Sequence, residues 1–442
     1  MNTPSLCLAL LLLCTLLLQA ALPSLRVLIV VSGAALSCLV VTLLGLGTTR
    51  QIMAELPWDV LIILVGLGLL SEVFVSSRLF GILAVKASRW SHAQPRRLLA
   101  YFAVGMYLVS GLVNNLTALV LVLPVLHILL KLLGFHQRYV AWTLGVLLVA
   151  CNLGGAATPI GDFPAILLLS SGRMQFADYL LHAAPPTLVA LLLLLGLVVF
   201  VVRPQRGVDR DPLSSRLSIV IMGRLYRNVH LDRRRFVPAA LLLLLMLLAW
   251  TFIPTSTGIS ADLVCWLGVA AALLLNLRQG ERLVRTRVDM EAVLFLLSLF
   301  VMVAAVRRSG LFSDLAQDLL GLPLSPRGQL LIFLLLSGVL TGIFSAGPSM
   351  AGLLEVAHAL AQKLPPHVVY VGLALSVCAG SSLLLTAATS GPMAQALTER
   401  AALRDSQGRS VHFGFVEFLP IGLLSFSLIQ GVALGYALLF TR

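Results

Sequence analysis

Charge is scarce in this chain. Only 18 of its 442 residues are acidic and 31 are Lys or Arg, so that charged residues make up 11% of the sequence. Soluble domains carry about a quarter, so a soluble fold of this length is excluded. Aromatic residues are also few, at 7%, which argues against a base-stacking platform. The net charge of +13 is therefore read as loop topology, and no nucleic-acid partner is expected. The six cysteines (Cys7, Cys14, Cys38, Cys151, Cys265 and Cys378) form no CxxC pair, so neither a zinc site nor a disulfide framework is indicated. Each lies in or beside an apolar run and serves as a small apolar residue. Catalytic signatures are missing too. There is no HExxH, no nucleotide-binding loop and no Gly-x-Ser-x-Gly elbow. Gly161-Asp162 has no partner aspartate of the kind an intramembrane aspartyl protease needs. The chain is not expected to be an enzyme.

What remains is apolar. Hydrophobic residues are 59% of the chain, and the mean hydropathy is +1.01. Runs of about 20 apolar residues recur, each able to cross a hydrocarbon layer roughly 30 Å thick. Hydropathy predicts spans at 4–22, 25–47 and 57–75 and an amphipathic stretch at 77–90. Two interrupted apolar regions follow, 98–132 broken at Ser110 to Asn115 and 139–171 broken at Asn152 to Asp162, and then a span at 179–202. The second half runs in the same order, with spans at 237–253, 259–277 and 290–307 and an amphipathic stretch at 310–321. Its interrupted regions are 328–363, broken at Thr341 to Ser349, and 368–398, broken at Ala379 to Pro392, before a last span at 415–440. Residues 1–22 lack the basic start of a signal peptide and are read as a retained span.

Local matches support a repeat. Trp58-Asp59-Val60-Leu61 aligns with Met290-Glu291-Ala292-Val293, and Ser76-Ser77-Arg78-Leu79-Phe80 with Arg308-Ser309-Gly310-Leu311-Phe312. Ser110-Gly111 matches Thr341-Gly342, and His127 matches His358. The domain reading is a first repeat over 1–202, an Arg-rich linker over 203–236 and a second repeat over 237–442. Lys and Arg favour the cytoplasmic side. With the N-terminus outside, the linker and the clusters Lys86 to Arg97, Lys131 to Arg138, Arg278 to Arg287 and Arg400 to Arg409 all fall inside. That assignment makes regions 98–132 and 328–363 re-entrant hairpins and the two repeats inverted, in a multi-pass protein of the cell membrane.

The motifs lie at the breaks. Asn152-Leu153-Gly154-Gly155-Ala156-Ala157-Thr158-Pro159-Ile160-Gly161-Asp162 should unwind a helix at mid-membrane. Irregular backbone at that depth needs protein or a water-filled cavity around it. Half-helix N-termini there suit anions, and the oxygens of Asn, Thr or Asp suit sodium or protons. The second-half counterpart carries Ser381, Ser382, Thr386, Thr389 and a Gly391-Pro392 stop. The hairpin tips offer Asn114, Asn115 and Thr117 in the first half and Ser345 and Ser349 in the second. Asp162 is the leading intramembrane carboxyl. Glu355 and His358 lie one turn apart and could meet. Asp59 and Glu291 are read as helix caps, and Glu72, Asp262 and Glu417 as interfacial.

These motifs, Asn152 to Asp162 above all, with Asn114-Asn115 and Cys378-Ala379-Gly380-Ser381-Ser382, resemble the ion transporter superfamily. It includes ArsB-type arsenite permeases, NhaD-type sodium/proton antiporters, the melanosomal P protein and the citrate and dicarboxylate carriers. The resemblance implies a scaffold with a transport domain that moves in an elevator-like step, and a homodimer. The Ser-Asn-Thr signature of dicarboxylate carriers is absent, because the tips read Val113-Asn114-Asn115 and Phe344-Ser345-Ala346. Asp162 matches the acidic position of the sodium/proton and P-protein branches.

The sequence therefore predicts an all-α polytopic membrane protein with two inverted repeats, about ten spans and two re-entrant hairpins. Its expected function is secondary active ion transport. Sodium/proton-type cation antiport is favoured because of Asp162, with Asn114, Asn152 and Asp162 as candidate sodium ligands. The alternative is transport of an anion (arsenite, citrate or a dicarboxylate) coupled to protons or sodium. Besides membrane lipid, a small inorganic ion or organic anion is the expected partner, and H+ or Na+ is the coupling ion in place of a cofactor.

Overall fold

In hydrocarbon a backbone must satisfy its own N–H and C=O groups, so the apolar runs fold as helices. The computed structural model describes residues 3–22, 25–92, 94–206, 220–221, 224, 230–253, 257–288, 290–388, 390–405 and 407–441. Among them, nine helices are long and apolar enough to cross a membrane, and shorter apolar helices accompany them. Most of the expected linker, and Thr389, lie outside the described residues.

The first half begins with α1 (Thr3–Ala21), α2 (Arg26–Leu43), the short α3 (Thr49–Ala54) and α4 (Trp58–Ser76). Next come α5 (Leu79–Trp90), α6 (Pro95–Ser110), α7 (Asn115–Leu133), α8 (Gln137–Ala157), α9 (Phe163–Ser170) and α10 (Phe176–Gly196). The last runs on as a π-turn, Leu197–Val202. After the linker, the order recurs. Helices α11 (Arg233–Phe252), α12 (Ala261–Leu274), α13 (Leu277–Arg287) and α14 (Met290–Arg308) answer α1 to α4. Helices α15 (Leu311–Leu320), α16 (Pro326–Phe344), α17 (Ala346–Ala361), α18 (Pro366–Ser381), α19 (Ser390–Ala401) and α20 (Phe415–Phe440) answer α5 to α10.

Packing follows the same correspondence. Helix α6 lies on α8 as α16 lies on α18, and α8 on α10 as α18 on α20. Two contacts exchange the halves: α2 packs on α14, and α12 packs on α4. Helices α1 to α4 and α11 to α14 thus make one wall. The hairpins α6–α7 and α16–α17 and the broken pairs α8–α9 and α18–α19 face it.

All four breaks are shorter than the sequence suggests. Helix α8 stays intact to Ala157, so Asn152, Gly154 and Gly155 are helical and the break is 158–162. Glycine in a helix costs only about 1 kcal/mol, and here it permits close approach. A Cβ on Gly154 would collide with the Tyr107 carbonyl of α6, and one on Gly155 with the Asn115 amide. In the second half, α18 ends at Ser381 and α19 starts at Ser390. Gly391-Pro392 therefore begins a helix instead of ending one. Proline fits the first helical turn, where its missing N–H is not needed, and Pro164 sits in the first turn of α9 in the same way. The second tip is a single residue, Ser345, at φ +78° and ψ +156°.

Candidate functional site

Every break starts a new helix, and four of these starts meet. Asn114 to Leu116 of α7, Asp162 to Pro164 of α9, Ser345 to Gly347 of α17, and Ala388 with Ser390 of α19 line one cavity of about 80 Å³. The facing wall is Arg26 of α2, Leu64 of α4, and Ala292, Phe295 and Leu296 of α14. Helix N-termini present unpaired N–H groups and the positive end of the macrodipole. Two of the four are capped from within. Asn114 Oδ1 accepts from Leu116 N (2.9 Å) and Asp162 Oδ1 from Phe163 N (2.8 Å). The start of α17 has no side-chain cap.

Around Asp162 the first half is tightly tied. The Asn115 side chain and Asp162 both lie against Gly155, and Asn115 also contacts Ser110 Oγ. Ser110 Oγ in turn donates to the Cys151 carbonyl (2.8 Å), and Thr158 Oγ1 donates to the Gly111 carbonyl (2.7 Å). Tyr179 OH donates to the Ala156 carbonyl (2.9 Å). These bonds fix both ends of the break, leaving Asp162 on the cavity wall.

The predicted residues divide. Asn114, Asn115, Asp162 and Ser345 come together, joined by Ser390. Asn152 is not on this wall. Its Nδ2 donates to the Ser381 carbonyl (3.3 Å) and to Ser382 Oγ (3.1 Å), and its Oδ1 accepts from Ser390 Oγ (3.2 Å). It is a buried tie between the halves. Gly154 and Gly155 serve packing, and Ser381 Oγ returns to the Cys378 carbonyl at 2.9 Å. Ser349 is buried on α17 away from the cavity lining.

Two wider cavities, each of about 410 Å³, adjoin the small one. Thr117 lines the first with Asn114, Glu72 and Arg287. Thr386 and Ser345 line the second with Gln19, Arg26, Glu291 and Arg400. Leu116 lies on all three. The first lies where α4 ends and α14 begins, and the second where α1 ends and α2 and α14 begin; the linker returns to the end of α4, since Asp232 N donates to the Ser77 carbonyl (3.1 Å). At the opposite end, Arg307 pairs with Glu355 (3.0 Å). There His358 Nδ1 lies against Arg173 Nη1 (2.5 Å) and Tyr370 OH (3.2 Å). Glu355 and His358 therefore hold other partners instead of meeting each other. His127 is buried against Thr398 Oγ1 (3.2 Å), tying α7 to α19.

Sequence reasoning missed Arg26 and misread Glu291. Glu291 is not merely a cap, because it accepts from Arg26 at the cavity wall, at 3.1 Å. Glu72, read as interfacial, lines a cavity and lies 3.8 Å from Arg287. A signal for Arg26 existed: a cation at a helix N-terminus opposes the macrodipole and calls for an acidic partner.

The chain matches the family model described as citrate transporter over residues 9–380 and 255–441. An uncharacterized transporter of Mycobacterium tuberculosis is 28% identical over 356 residues, which is 79% of this chain and 80% of that one. Magnetosome protein MamN of Paramagnetospirillum magneticum is 26% identical over 371 residues, 83% of this chain and 82% of its own. Sodium/proton antiporter 1 of Arabidopsis thaliana is 25% identical over 233 residues, 51% of this chain and 38% of the plant protein. Among solved structures, the YdaH transporter of Alcanivorax borkumensis has the same fold, with a TM-score of 0.53 at 15% identity, covering 100% of this chain and 98% of that one.

Proposed function

We propose that this chain, which belongs to the citrate transporter family CitMHS, carries a small carboxylate or oxyanion across the membrane together with a proton. One observation carries this reading: four helix N-termini meet at a single cavity that also holds Asp162. The N-termini offer fixed donors and positive potential to an anion. Asp162 opposes that anion when ionised. A proton on Asp162 removes the repulsion, so proton and anion bind best together and cross together. The wider cavities make this an inward-facing state if the linker is cytoplasmic. In this reading the two ten-helix halves are inverted repeats, α1 to α4 with α11 to α14 form the scaffold, and the hairpins and broken helices move against it within a homodimer in the cell membrane.

A second reading is cation/proton antiport at Asp162, favoured by that carboxyl and by the likeness to the plant sodium/proton antiporter. One assay separates the two. Purified protein in liposomes with an internal pH dye is challenged with labelled citrate, succinate or arsenite, and separately with sodium or lithium. The proposal expects anion uptake driven by an inward proton gradient, falling as external pH rises. Asp162→Asn, permanently neutral, should bind anion but lose the pH dependence and the proton flux. Proton movement with sodium alone, and no anion uptake, would refute the proposal in favour of antiport.

A further inference from the structure

Arg26 stands where its own helix disfavours it. It opens α2, and its preceding residue, Leu25, supplies no side-chain cap. A cation at that end of a helix is held by something other than the helix. Glu291, 265 residues away in sequence, does this incompletely: Arg26 Nε and Nη2 both reach the same oxygen, Oε1, at 3.2 and 3.1 Å. A strong arginine–carboxylate pair uses two oxygens in a parallel fork. Here Glu291 Oε2 and Arg26 Nη1 have no hydrogen-bond partner among the described residues. The pair is also wet, with side chains 32% and 60% exposed, and exposed pairs hold weakly.

The other end of α14 shows what a structural pair looks like in this wall. Arg308 also meets a single oxygen of Glu55, but its side chain is only 19% exposed and it donates as well to the Leu46 carbonyl (3.3 Å) and to Gln51 Oε1 (3.4 Å). The end of α14 is therefore anchored, to the loop after α2 and to the residue after α3, without Arg26. Phe295 lies under the Arg26 guanidinium, 5.7 Å from ring centroid to carbon, and steers it along the cavity wall. Arg26 borders both the small cavity with Asp162 and the wide one with Arg400.

We infer that Arg26 binds the transported anion, and that Glu291 is its stand-in, holding the same guanidinium until substrate displaces it. This rests on the anion reading above. Glu291 then competes with substrate, and its loss should improve binding.

The test measures labelled citrate uptake in proteoliposomes for wild type, Arg26→Gln, Arg26→Lys and Glu291→Gln. Citrate-induced thermal shift of the detergent-purified proteins is followed alongside. Removing a charge-assisted contact should raise KM about tenfold or more in Arg26→Gln, and Arg26→Lys should lie between it and wild type. Glu291→Gln should shift the other way, lowering KM several-fold and strengthening the citrate-induced shift. If both neutralised variants raise KM and unfold earlier, the pair is a structural tie and the inference fails while anion transport stands. If wild type moves only cations, the anion reading fails and takes the inference with it.

Discussion

Asn152 offers a direct measurement of what joins the two halves. Its side chain makes three hydrogen bonds to the second half, to the Ser381 carbonyl, Ser382 Oγ and Ser390 Oγ. The first bond satisfies a carbonyl in the last turn of α18, which has no N–H donor further along its own helix. Side-chain hydrogen bonds inside membrane proteins average about 0.6 kcal/mol, with a maximum near 1.7. Three of them give about 2 kcal/mol. Buried partners left unsatisfied raise this toward about 4. Asn152→Ala should therefore lose about 2–4 kcal/mol in an SDS titration in mixed micelles, followed by the fluorescence of the five tryptophans. A double-mutant cycle with Ser390→Ala isolates one bond and should show a coupling of about 0.6 kcal/mol. Asn152→Asp discriminates between roles. As a donor to the Ser381 carbonyl the residue cannot be replaced by a carboxylate, so Asp should be at least as damaging as Ala. A sodium ligand would tolerate or prefer Asp. An Asn152→Ala protein within about 0.5 kcal/mol of wild type, or an Asn152→Asp protein more stable than wild type in sodium, would refute the tie.

Two further outcomes follow from local geometry. Gly154→Val places a branched side chain against the Tyr107 backbone carbonyl, and overpacking of this kind costs about 1–3 kcal/mol. The same titration should show that loss, and an unchanged midpoint would mean that α6 and α8 slide freely. Ser345 holds a backbone conformation that glycine adopts without strain, at φ +78° and ψ +156°. Ser345→Gly should therefore stabilise the protein by about 1 kcal/mol, and a loss of stability would show that the Ser345 side chain matters more than its backbone.

The fold was legible because hydropathy reports burial in lipid directly. The order of spans, amphipathic stretches and interrupted regions was readable at the level of Trp58 and Met290, which open α4 and α14. The breaks were harder. Gly154 and Gly155 looked like helix breakers, yet their role is close approach to Tyr107 and Asn115, which depends on a neighbour far away in sequence. Asn152 looked like a ligand for the same reason: nothing local shows that Ser381, Ser382 and Ser390 will occupy it. Asn114, Asn115 and Asp162 were readable as polar groups at apolar depth, and they do share a cavity wall. Arg26 carried a signal as a cation at a helix N-terminus, but its partner Glu291 lies 265 positions on, in the other half, and nothing local pairs the two.

The exchanged packing of α2 on α14 and of α12 on α4 bears on how the protein is made. As the chain leaves the ribosome, α2 inserts long before its neighbour exists. The chain must grow 265 positions beyond Arg26 to reach Glu291 before that face is covered, and until then lipid stands in for α14. Helix α4 waits for α12 in the same way. Neither half can finish its own wall, so assembly is a single late event that requires both, and contacts this distant in sequence form slowly. A nascent chain stalled after the linker would be inserted yet unassembled, its hairpin and broken helix formed against a wall that is half missing.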